Sequence, residues 1–404
     1  MSTTEASDRV TAAGAKAGAV LGAQMGASAL PPILLTSQVR WSNTSPVAQI
    51  KDEFGDTELC FLALFVSPMA DFGGVIAEAQ RLFPDVDVAA CTTAGEISAA
   101  GYDEGCIIAV GFPAAGFATT SLMIENIDAL SPLPLIDRIA LERVRLQERQ
   151  LDMRHSFAFL VIDGLSLSED ALMATISPAL RDMPVFGGSA GDGTDFQQAQ
   201  VALNGQQADK AAVLTMVRSR YRTQVFSLDH LVPTDQQMVV TGADPDQRIV
   251  KSINAEPAAR EYARIMGKDP DQLDRFTFAS HPVAVRIGGT HHVRAIQQVT
   301  DAGELVFFSA IDEGMVLTVA SPQNMVRHLE QEMAELSQSG PPTHIIGCDC
   351  ILRRIEAQQS QATRALSDVL SAHNVTGFST YGEQIGPLHV NHTMSGVAIY
   401  ACEE

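Results

Sequence analysis

The segments CTTAGEI (residues 91–97) and FSTYGEQI (residues 378–385) share one pattern: a hydroxyl residue, Thr, any residue, Gly and Glu. Each copy follows a valine-bearing segment that is typical of the end of a β-strand. A looser version, VFGGSAGDG (residues 185–193), lies between them and has Ser, Gly and Asp in place of Thr, Gly and Glu. The repeat predicts a duplicated domain in which equivalent loops follow equivalent strands.

Composition and charge exclude several classes of protein. A chain of 404 residues is long enough for two or three domains with large cores. The net charge of -21 argues against nucleic acid and anionic membrane as partners, because phosphate binding needs clustered Lys and Arg. The sequence contains no run of eighteen apolar residues, so we predict no membrane span. The six cysteines lie mostly in apolar runs, which favours buried thiols in a reducing compartment and a cytoplasmic location.

Apolar runs of strand length alternate with amphipathic stretches of helix length along the chain. The predicted strands include 59–66, 86–91, 106–112, 117–124, 156–163, 211–217 and 343–350, and the predicted helices include 71–83, 256–266 and 351–373. Between the last two helices, four short apolar runs predict antiparallel strands. Residues 1–34 are expected to be a poorly ordered tail. The pattern predicts an α/β (mixed α+β) fold with an internal pseudo-duplication: two related modules, 35–228 and 229–404, with mixed sheets flanked by helices.

The repeated loops allow two interpretations. In the first, the Glu carboxylate accepts hydrogen bonds from backbone N–H groups that have no other partner in the turn, and the motif only stabilises the structure. In the second, the equivalent loops meet and line one ligand pocket. Both predict equivalent positions for Glu96 and Glu383. The candidate ligand-binding residues are Thr93, Gly95, Glu96, Ser189, Thr380, Gly382 and Glu383 of the loops, together with Asn391 near the C-terminus.

Four motifs in order carry a resemblance to a known family: CTTAGEIS, VFGGSAGDG, INAEPAAREYARIMG and FSTYGEQIGPLHVNHTMSGVAIY. Over residues 35–402 the chain resembles the FIST family of bacterial sensory proteins, with its N-terminal and C-terminal regions. The resemblance implies small-ligand sensing in signal transduction, beside histidine kinases or diguanylate cyclase and phosphodiesterase enzymes. A resemblance to one branch, the NosP-type proteins, implies that the chain binds haem b, senses nitric oxide and regulates a partner kinase.

A haem interpretation needs an axial ligand, and the absence of Cys-x-x-Cys-His excludes covalent attachment. His392 lies within an Asn-x-Thr pattern that begins at Asn391 and that in the family usually carries Gln in the middle. His392 is therefore either a haem ligand or a neutral exchange of one polar residue for another, and His389 is the next candidate. If LHVNHTM is extended, these two histidines face opposite sides. His230, His328 and His373 are predicted to be solvated.

The segment THIIGCDC offers a second possible metal site. In a strand, Cys348 and Cys350 share one face with His344, and two thiolates can bind one soft metal or an iron-sulfur cluster. Two ligands are fewer than a tetrahedral site needs, so two buried thiols are the alternative.

An enzyme interpretation depends on GGSAG (residues 187–191), which matches the nucleophile elbow of hydrolases at Ser189. The elbow requires a helix directly after the serine, whereas DGTDFQQ predicts a loop, so we expect no enzyme. The favoured function is a cytoplasmic sensor of nitric oxide that binds haem and regulates a kinase or a cyclic-di-GMP enzyme. A sensor of an amino acid or other small metabolite is the alternative, and a hydrolase is the third.

Overall fold

The computed structural model describes residues 32–401. The predicted tail of residues 1–34 therefore lies almost entirely outside the described residues. The chain runs three times through one order of elements: strand, helix, strand, helix, strand, a hairpin of two three-residue strands, and a last strand. The third pass differs by an insertion after its first strand and by two helices in place of its second helix. The predicted mixed α/β fold is confirmed, and the repeat seen in the sequence is threefold in the structure.

In the first repeat the predicted strands 59–66, 86–91 and 106–112 and the predicted helix 71–83 lie close to the observed bounds. Its elements are β1 (Leu35–Arg40), α1 (Pro46–Phe54), β2 (Leu59–Val66), α2 (Phe72–Leu82), β3 (Asp87–Thr92), β4 (Glu96–Ser98), β5 (Gly101–Asp103) and β6 (Cys106–Pro113). Strand β2 is almost continuously apolar because both of its faces are buried. Helix α2 begins where the side chain of Asp71 accepts a hydrogen bond from the N–H of Gly74 at 3.1 Å.

The second repeat contains the loose copy of the motif. Its elements are β7 (Phe117–Ile124), α3 (Pro132–Arg149), β8 (His155–Asp163), α4 (Glu169–Leu180), β9 (Val185–Ala190), β10 (Val201–Leu203), β11 (Gln206–Ala208) and β12 (Ala212–Ser219). The loop motif again lies directly after the parallel strand, β9.

The third repeat is interrupted by an insertion, which explains the long distance between the two full copies of the motif. Its own elements are β13 (Arg222–Leu228), α7 (Met325–Leu336), β22 (His344–Cys350), α8 (Ile351–Gln359), α9 (Thr363–Ala372), β23 (Val375–Thr380), β24 (Glu383–Ile385), β25 (Leu388–Val390) and β26 (Met394–Tyr400). The prediction of one helix over 351–373 is wrong: the helix ends at Gln359, and Gln361 adopts a left-handed backbone with φ of 56°.

The inserted elements form an eight-stranded antiparallel sheet with two helices. They are β14 (Leu231–Asp244), β15 (Ile249–Ile253), β16 (Glu256–Pro257), α5 (Ala258–Met266), α6 (Arg275–Ser280), β17 (Val283–Ile287), β18 (Thr290–Arg294), β19 (Ile296–Val299), β20 (Leu305–Phe307) and β21 (Val316–Pro322). The predicted antiparallel strands are confirmed here. The predicted module boundary between residues 228 and 229 falls at the start of this insertion and stays a prediction.

The three remaining sheets have the same strand order, and in each sheet the last two strands are the hairpin of another repeat. The orders are β1-β6-β2-β3-β10-β11, β7-β12-β8-β9-β24-β25 and β13-β26-β22-β23-β4-β5. The first repeat thus gives its hairpin to the third, the third to the second, and the second to the first. This cyclic exchange brings the three loop motifs together, because each loop connects a parallel strand to the hairpin that leaves its sheet.

The inner faces of the three sheets meet in a core rich in phenylalanine. Phe65 of β2 stacks on Phe378 of β23 with ring centroids 4.5 Å apart, and it meets Phe159 of β8 edge-on at 6.1 Å. Each sheet thus contributes one ring to the centre. The outer faces are covered by α1 and α2, by α3 and α4, and by α7 and α9 respectively.

Candidate functional site

The two full loop motifs hold their carboxylates in the same way. The hydroxyl of Thr93 donates to Glu96 at 2.5 Å, and the hydroxyl of Thr380 donates to Glu383. The second oxygen of each carboxylate accepts a backbone N–H ten residues further on, from Cys106 at 3.2 Å and from Thr393 at 3.2 Å. Both carboxylates are fully buried. The predicted equivalence of Glu96 and Glu383 is therefore confirmed by their contacts.

The three loops are also linked to one another in a ring of backbone hydrogen bonds. The bonds run from Ala94 N to Ser379 O at 2.9 Å, from Tyr381 N to Ser189 O at 3.2 Å and from Gly191 N to Thr92 O at 3.2 Å. Each loop thus binds the end of the strand in the next sheet. The motif recurs because the same joint between sheets is made three times.

The second repeat departs from the motif in one respect. In its sheet Gly187 pairs with Gln384, as Gly377 pairs with Ile97 in the third sheet, which places Ala190 rather than Ser189 at the Thr position. The buried hydroxyl of Ser189 accepts a hydrogen bond from the amide of Gln384 at 2.9 Å. A loop follows β9 as expected, and no helix begins after Ser189, so the elbow geometry of a hydrolase is absent from this described segment.

A cavity of about 230 Å³ lies beside the first loop motif. It is lined by Ser67, Pro68, Met69, Ala94, Gly95, Glu96, Glu104, Gly105, Gly193, Thr194, Ile351, Arg354, Ile355 and Gln358. The α8 residues of this wall are spaced 3, 4 and 7 apart, which places them on one face of the helix. Of the predicted ligand-binding residues, Gly95 and Glu96 line this cavity. Thr93, Thr380, Glu383, Ser189 and Asn391 are instead fully buried.

Arg354 supplies the positive charge of this cavity. Its guanidinium donates to the carbonyl of Asp103 at 2.7 Å and to the carboxylate of Glu104 at 3.0 Å. The side chain of Arg354 is 5% exposed, while that of Glu104 is 71% exposed. Glu96 also lines the cavity, but its carboxyl is fully buried against Thr93 and Cys106, and burial raises its pKa. The cavity therefore offers one buried cation, Arg354, and one exposed acid, Glu104.

Gly95 is required where Arg354 crosses the loop, and replacing it gives a testable prediction. Its φ is 129°, and a Cβ at this position would lie 2.3 Å from Nη1 of Arg354. We expect Gly95→Ala to lower the free energy of unfolding by about 1 to 3 kcal/mol through backbone strain and the displaced guanidinium. Urea denaturation measures the loss. Gly193→Ala is the matched control, because φ is 80° there and a Cβ would meet nothing within 4 Å; equal losses in both variants would contradict the role of the Arg354 contact.

A chain of buried polar groups runs along the other face of α8. Arg353 is 1% exposed and donates from Nε to Asp349 at 2.7 Å and from Nη1 to Nδ1 of His230 at 2.8 Å. Nε2 of His230 and Nε2 of His392 each lie 2.9 Å from the same oxygen, Oε2 of Glu356. At the far end the hydroxyl of Tyr102 donates to Asp349. The prediction of a solvated His230 is wrong, because its partners lie on α8, more than 120 residues away in the sequence.

The contact with Arg353 defines the tautomer of His230. A guanidinium only donates, so Nδ1 of His230 accepts and its Nε2 carries the proton that is donated to Glu356. Burial lowers the pKa of His230 to about 4, in keeping with a neutral ring. Burial alone would raise the pKa of Glu356, but hydrogen bonds from His230 and His392 lower it to about 2. Glu356 is thus a buried carboxylate between two imidazoles.

The segment LHVNHTM is not one extended strand, so the predicted alternation of faces does not apply. Strand β25 ends at Val390, and His392 adopts a left-handed backbone with φ of 60° before β26 begins. His389 pairs with Gln384 across the hairpin. Its backbone carbonyl accepts from Arg294 at 3.0 Å, and burial lowers the pKa of its ring to about 4. The two candidate haem ligands therefore belong to different polar clusters.

Asn391 lies between these histidines and connects the hairpin to the insertion. Its side-chain oxygen accepts from the hydroxyl of Ser309 at 2.5 Å, and its amide nitrogen donates to the carbonyl of Tyr381 at 3.3 Å. Gly382 allows this approach, because a Cβ there would lie 2.8 Å from the amide nitrogen of Asn391. Asn391 and Gly382 thus have a structural role in this arrangement.

The residues predicted to hold haem do not fit a porphyrin as they are placed. His392 already contacts Glu356, and the ring of His389 lies among the charges of Asp170, Arg248 and Arg294. A haem pocket is instead an apolar cleft next to a free imidazole.

Cys348 and Cys350 are buried free thiols. Burial raises the pKa of both thiols well above its usual value, which favours the buried-thiol interpretation. Within residues 32–401, the cluster with three or more potential metal ligands is His230, Glu356 and His392.

The fold and these contacts define a mixed α/β protein in which three similar sheets are joined by one ring of loops. The chain belongs to the FIST family: the FIST N domain matches residues 60–256 and the FIST C domain matches residues 258–386. FIST domains are small-ligand sensing domains of signalling proteins, and they are sensory rather than catalytic. No curated protein matches the chain. Within the described part of the chain, the helices are too short or too polar to cross a membrane.

Proposed function

We propose that the protein is a sensor of a small zwitterionic metabolite of the amino acid class, and that it binds this ligand in the cavity beside Gly95. The observation that carries the proposal is the pairing of one buried guanidinium, Arg354, with the exposed carboxylate of Glu104 in a cavity of about 230 Å³. A guanidinium binds a carboxylate through two parallel hydrogen bonds. The ligand carboxylate would take the place of Glu104 on Arg354.

This exchange would release Glu104 to bind the ammonium group of the same ligand. Ile351, Ile355 and Met69 supply an apolar wall that favours an aliphatic side chain. The exchange also provides the difference in contacts between free and bound states that a sensor needs, since a ligand shifts a conformation only by its differential affinity. The moving part is the turn between β5 and β6, which carries Glu104.

The chain has one tryptophan, and its position allows a direct binding assay. Trp41 is 41% exposed, and its ring lies 3.0 Å from the Cβ position of Gly105, which lines the cavity. We expect aliphatic amino acids to change the Trp41 fluorescence in a saturable titration. Arg354→Lys keeps the charge but loses the bidentate geometry, so it should weaken binding by about 10- to 100-fold.

Arg275→Lys on the exposed face of α6 is the matched control, because Arg275 does not line the cavity. It should leave the affinity unchanged. If no amino acid changes the fluorescence or the melting temperature at millimolar concentration, or if Arg354→Lys binds as the wild type does, the proposed ligand is wrong.

Haem b with nitric oxide is the second proposal. It requires His392 or His389 to leave its present contacts, and two imidazole nitrogens support it. Nδ1 of His392 and Nε2 of His389 are buried and have no side-chain hydrogen-bond partner among the described residues. A Soret band after haem-supplemented expression, lost in His392→Ala or His389→Ala, would favour this ligand over an amino acid. Protein that takes up no haem would leave the amino acid proposal in place.

In either case we propose that the bound state regulates a histidine kinase or a cyclic-di-GMP enzyme in the cytoplasm. The five cysteines within the described residues are free, which supports a reducing compartment. A net charge of -21 favours a partner with a basic surface. The protein itself would act without catalysis, through a surface that depends on its ligand.

A further inference from the structure

Three separate parts of the fold bring potential metal ligands to one buried point. His230 lies between β13 and β14, Glu356 lies on α8, and His392 lies in the turn between β25 and β26. Their ligand atoms all lie within 4.8 Å of one another, and all three residues are buried. We propose that His230, Glu356 and His392 bind one transition-metal dication of the Zn²⁺ or Co²⁺ class.

The donor set suits such an ion. Two imidazoles and one carboxylate are a common three-residue set for Zn²⁺, with a water molecule as the fourth ligand. Bonds of about 2.0 to 2.1 Å in a tetrahedron separate the ligand atoms by about 3.4 Å. Both Nε2 atoms lie 2.9 Å from Oε2 of Glu356, so each imidazole needs to move away from the carboxylate by only about 0.5 Å.

The charges around the cluster are unbalanced without a cation. Asp349 and Glu356 both face Arg353 in the buried chain. The buried chain thus holds two carboxylates against one guanidinium. Buried charge without a partner is costly, so a dication would neutralise this part of the protein.

Arg353 controls access to the site. In the metal-free arrangement Arg353 donates to Nδ1 of His230, which forces the proton of His230 onto Nε2. A metal bond at Nε2 requires that proton to move to Nδ1, and Nδ1 then no longer accepts from Arg353. In His392 the same shift breaks no hydrogen bond at Nδ1, because its Nδ1 has no side-chain partner among the described residues. Metal binding therefore turns Arg353 away from His230 and towards Asp349.

The first test is a titration of chelator-treated full-length protein with Co²⁺, followed by its visible absorption, and competition with Zn²⁺. We expect one equivalent to bind. His392→Ala and Glu356→Gln should each weaken binding by about 100-fold or more. His344→Ala at the start of β22 is the matched control and should bind as the wild type does, since His344 lies outside the cluster. Circular dichroism without metal verifies that each variant is folded.

The second test addresses the role of Arg353. The double variant Arg353→Met with Asp349→Asn removes the guanidinium together with its buried counter-charge. We expect it to bind Co²⁺ about tenfold or more tightly, because Nδ1 of His230 is then free to carry the proton. Absence of Co²⁺ binding in both the wild type and the double variant would overturn the proposal. Wild-type affinity in a folded His392→Ala would overturn it as well.

Discussion

Glu383→Ala should lower the free energy of unfolding by roughly 3 to 5 kcal/mol, measured by urea denaturation. The carboxylate is fully buried and accepts hydrogen bonds from the hydroxyl of Thr380, from the hydroxyl of Thr393 at 2.7 Å and from the N–H of Thr393 at 3.2 Å. Alanine leaves all three donors without an acceptor. Glu96→Ala should cost less, roughly 1 to 3 kcal/mol, because the third donor to Glu96 is the Cys106 thiol at 3.5 Å, a weaker donor than the second hydroxyl at Glu383.

Glu383→Gln is the matched control, since it keeps the shape and one acceptor oxygen, and it should lose less than half as much as alanine. Equal losses in the two variants would show that packing rather than hydrogen bonding holds the loop.

The same residue gives the stability a defined pH dependence. Burial raises the pKa of Glu383 to about 8, from 4.5 in a free side chain. The folded protein therefore binds this proton more tightly than the unfolded chain does. Its contribution is fully present below pH 4.5 and is lost as the pH rises through 8. The wild type should lose more stability than Glu383→Gln between pH 5 and pH 8.5, and a gain over this interval would contradict the assignment.

Arg353→Met should lower the free energy of unfolding by roughly 3 to 5 kcal/mol, because it leaves the carboxylate of Asp349 buried without its cation. Adding Asp349→Asn should recover most of that loss, since replacing both partners of a buried ion pair is often neutral. The double-mutant cycle is read from urea denaturation of the four proteins. Losses that simply add would show that the two residues do not act as a pair.

Local patterns made much of this fold predictable from the sequence. The run LCFLALFV predicts β2 at its observed bounds, because a strand buried on both faces is apolar throughout. The Thr-x-Gly-Glu loops were also predictable, since the hydroxyl, the glycine and the carboxylate that make the joint lie within four residues of one another. The equivalence of Glu96 and Glu383 follows from that local chemistry.

The rest depends on contacts between distant parts of the chain. His230 lies in the segment SLDHLVP, and nothing near it in the sequence indicates that Glu356 and Arg353 will surround it. The break after Gln359 has no Gly or Pro to mark it. The exchange of hairpins was equally hidden, because strands of three residues are too short to show a periodicity.

The cyclic exchange of hairpins between the three repeats has a consequence for the protein during its synthesis. The strands β4 and β5 leave the ribosome long before β23, the strand beside which β4 finally pairs, because about 275 residues separate them. Until then the nascent chain carries an unmatched hairpin with open edges, the kind of surface on which chains aggregate. No single repeat can complete its own sheet, so the three must reach the native state together, and a chain cut within the third repeat would leave the first hairpin without a place to dock.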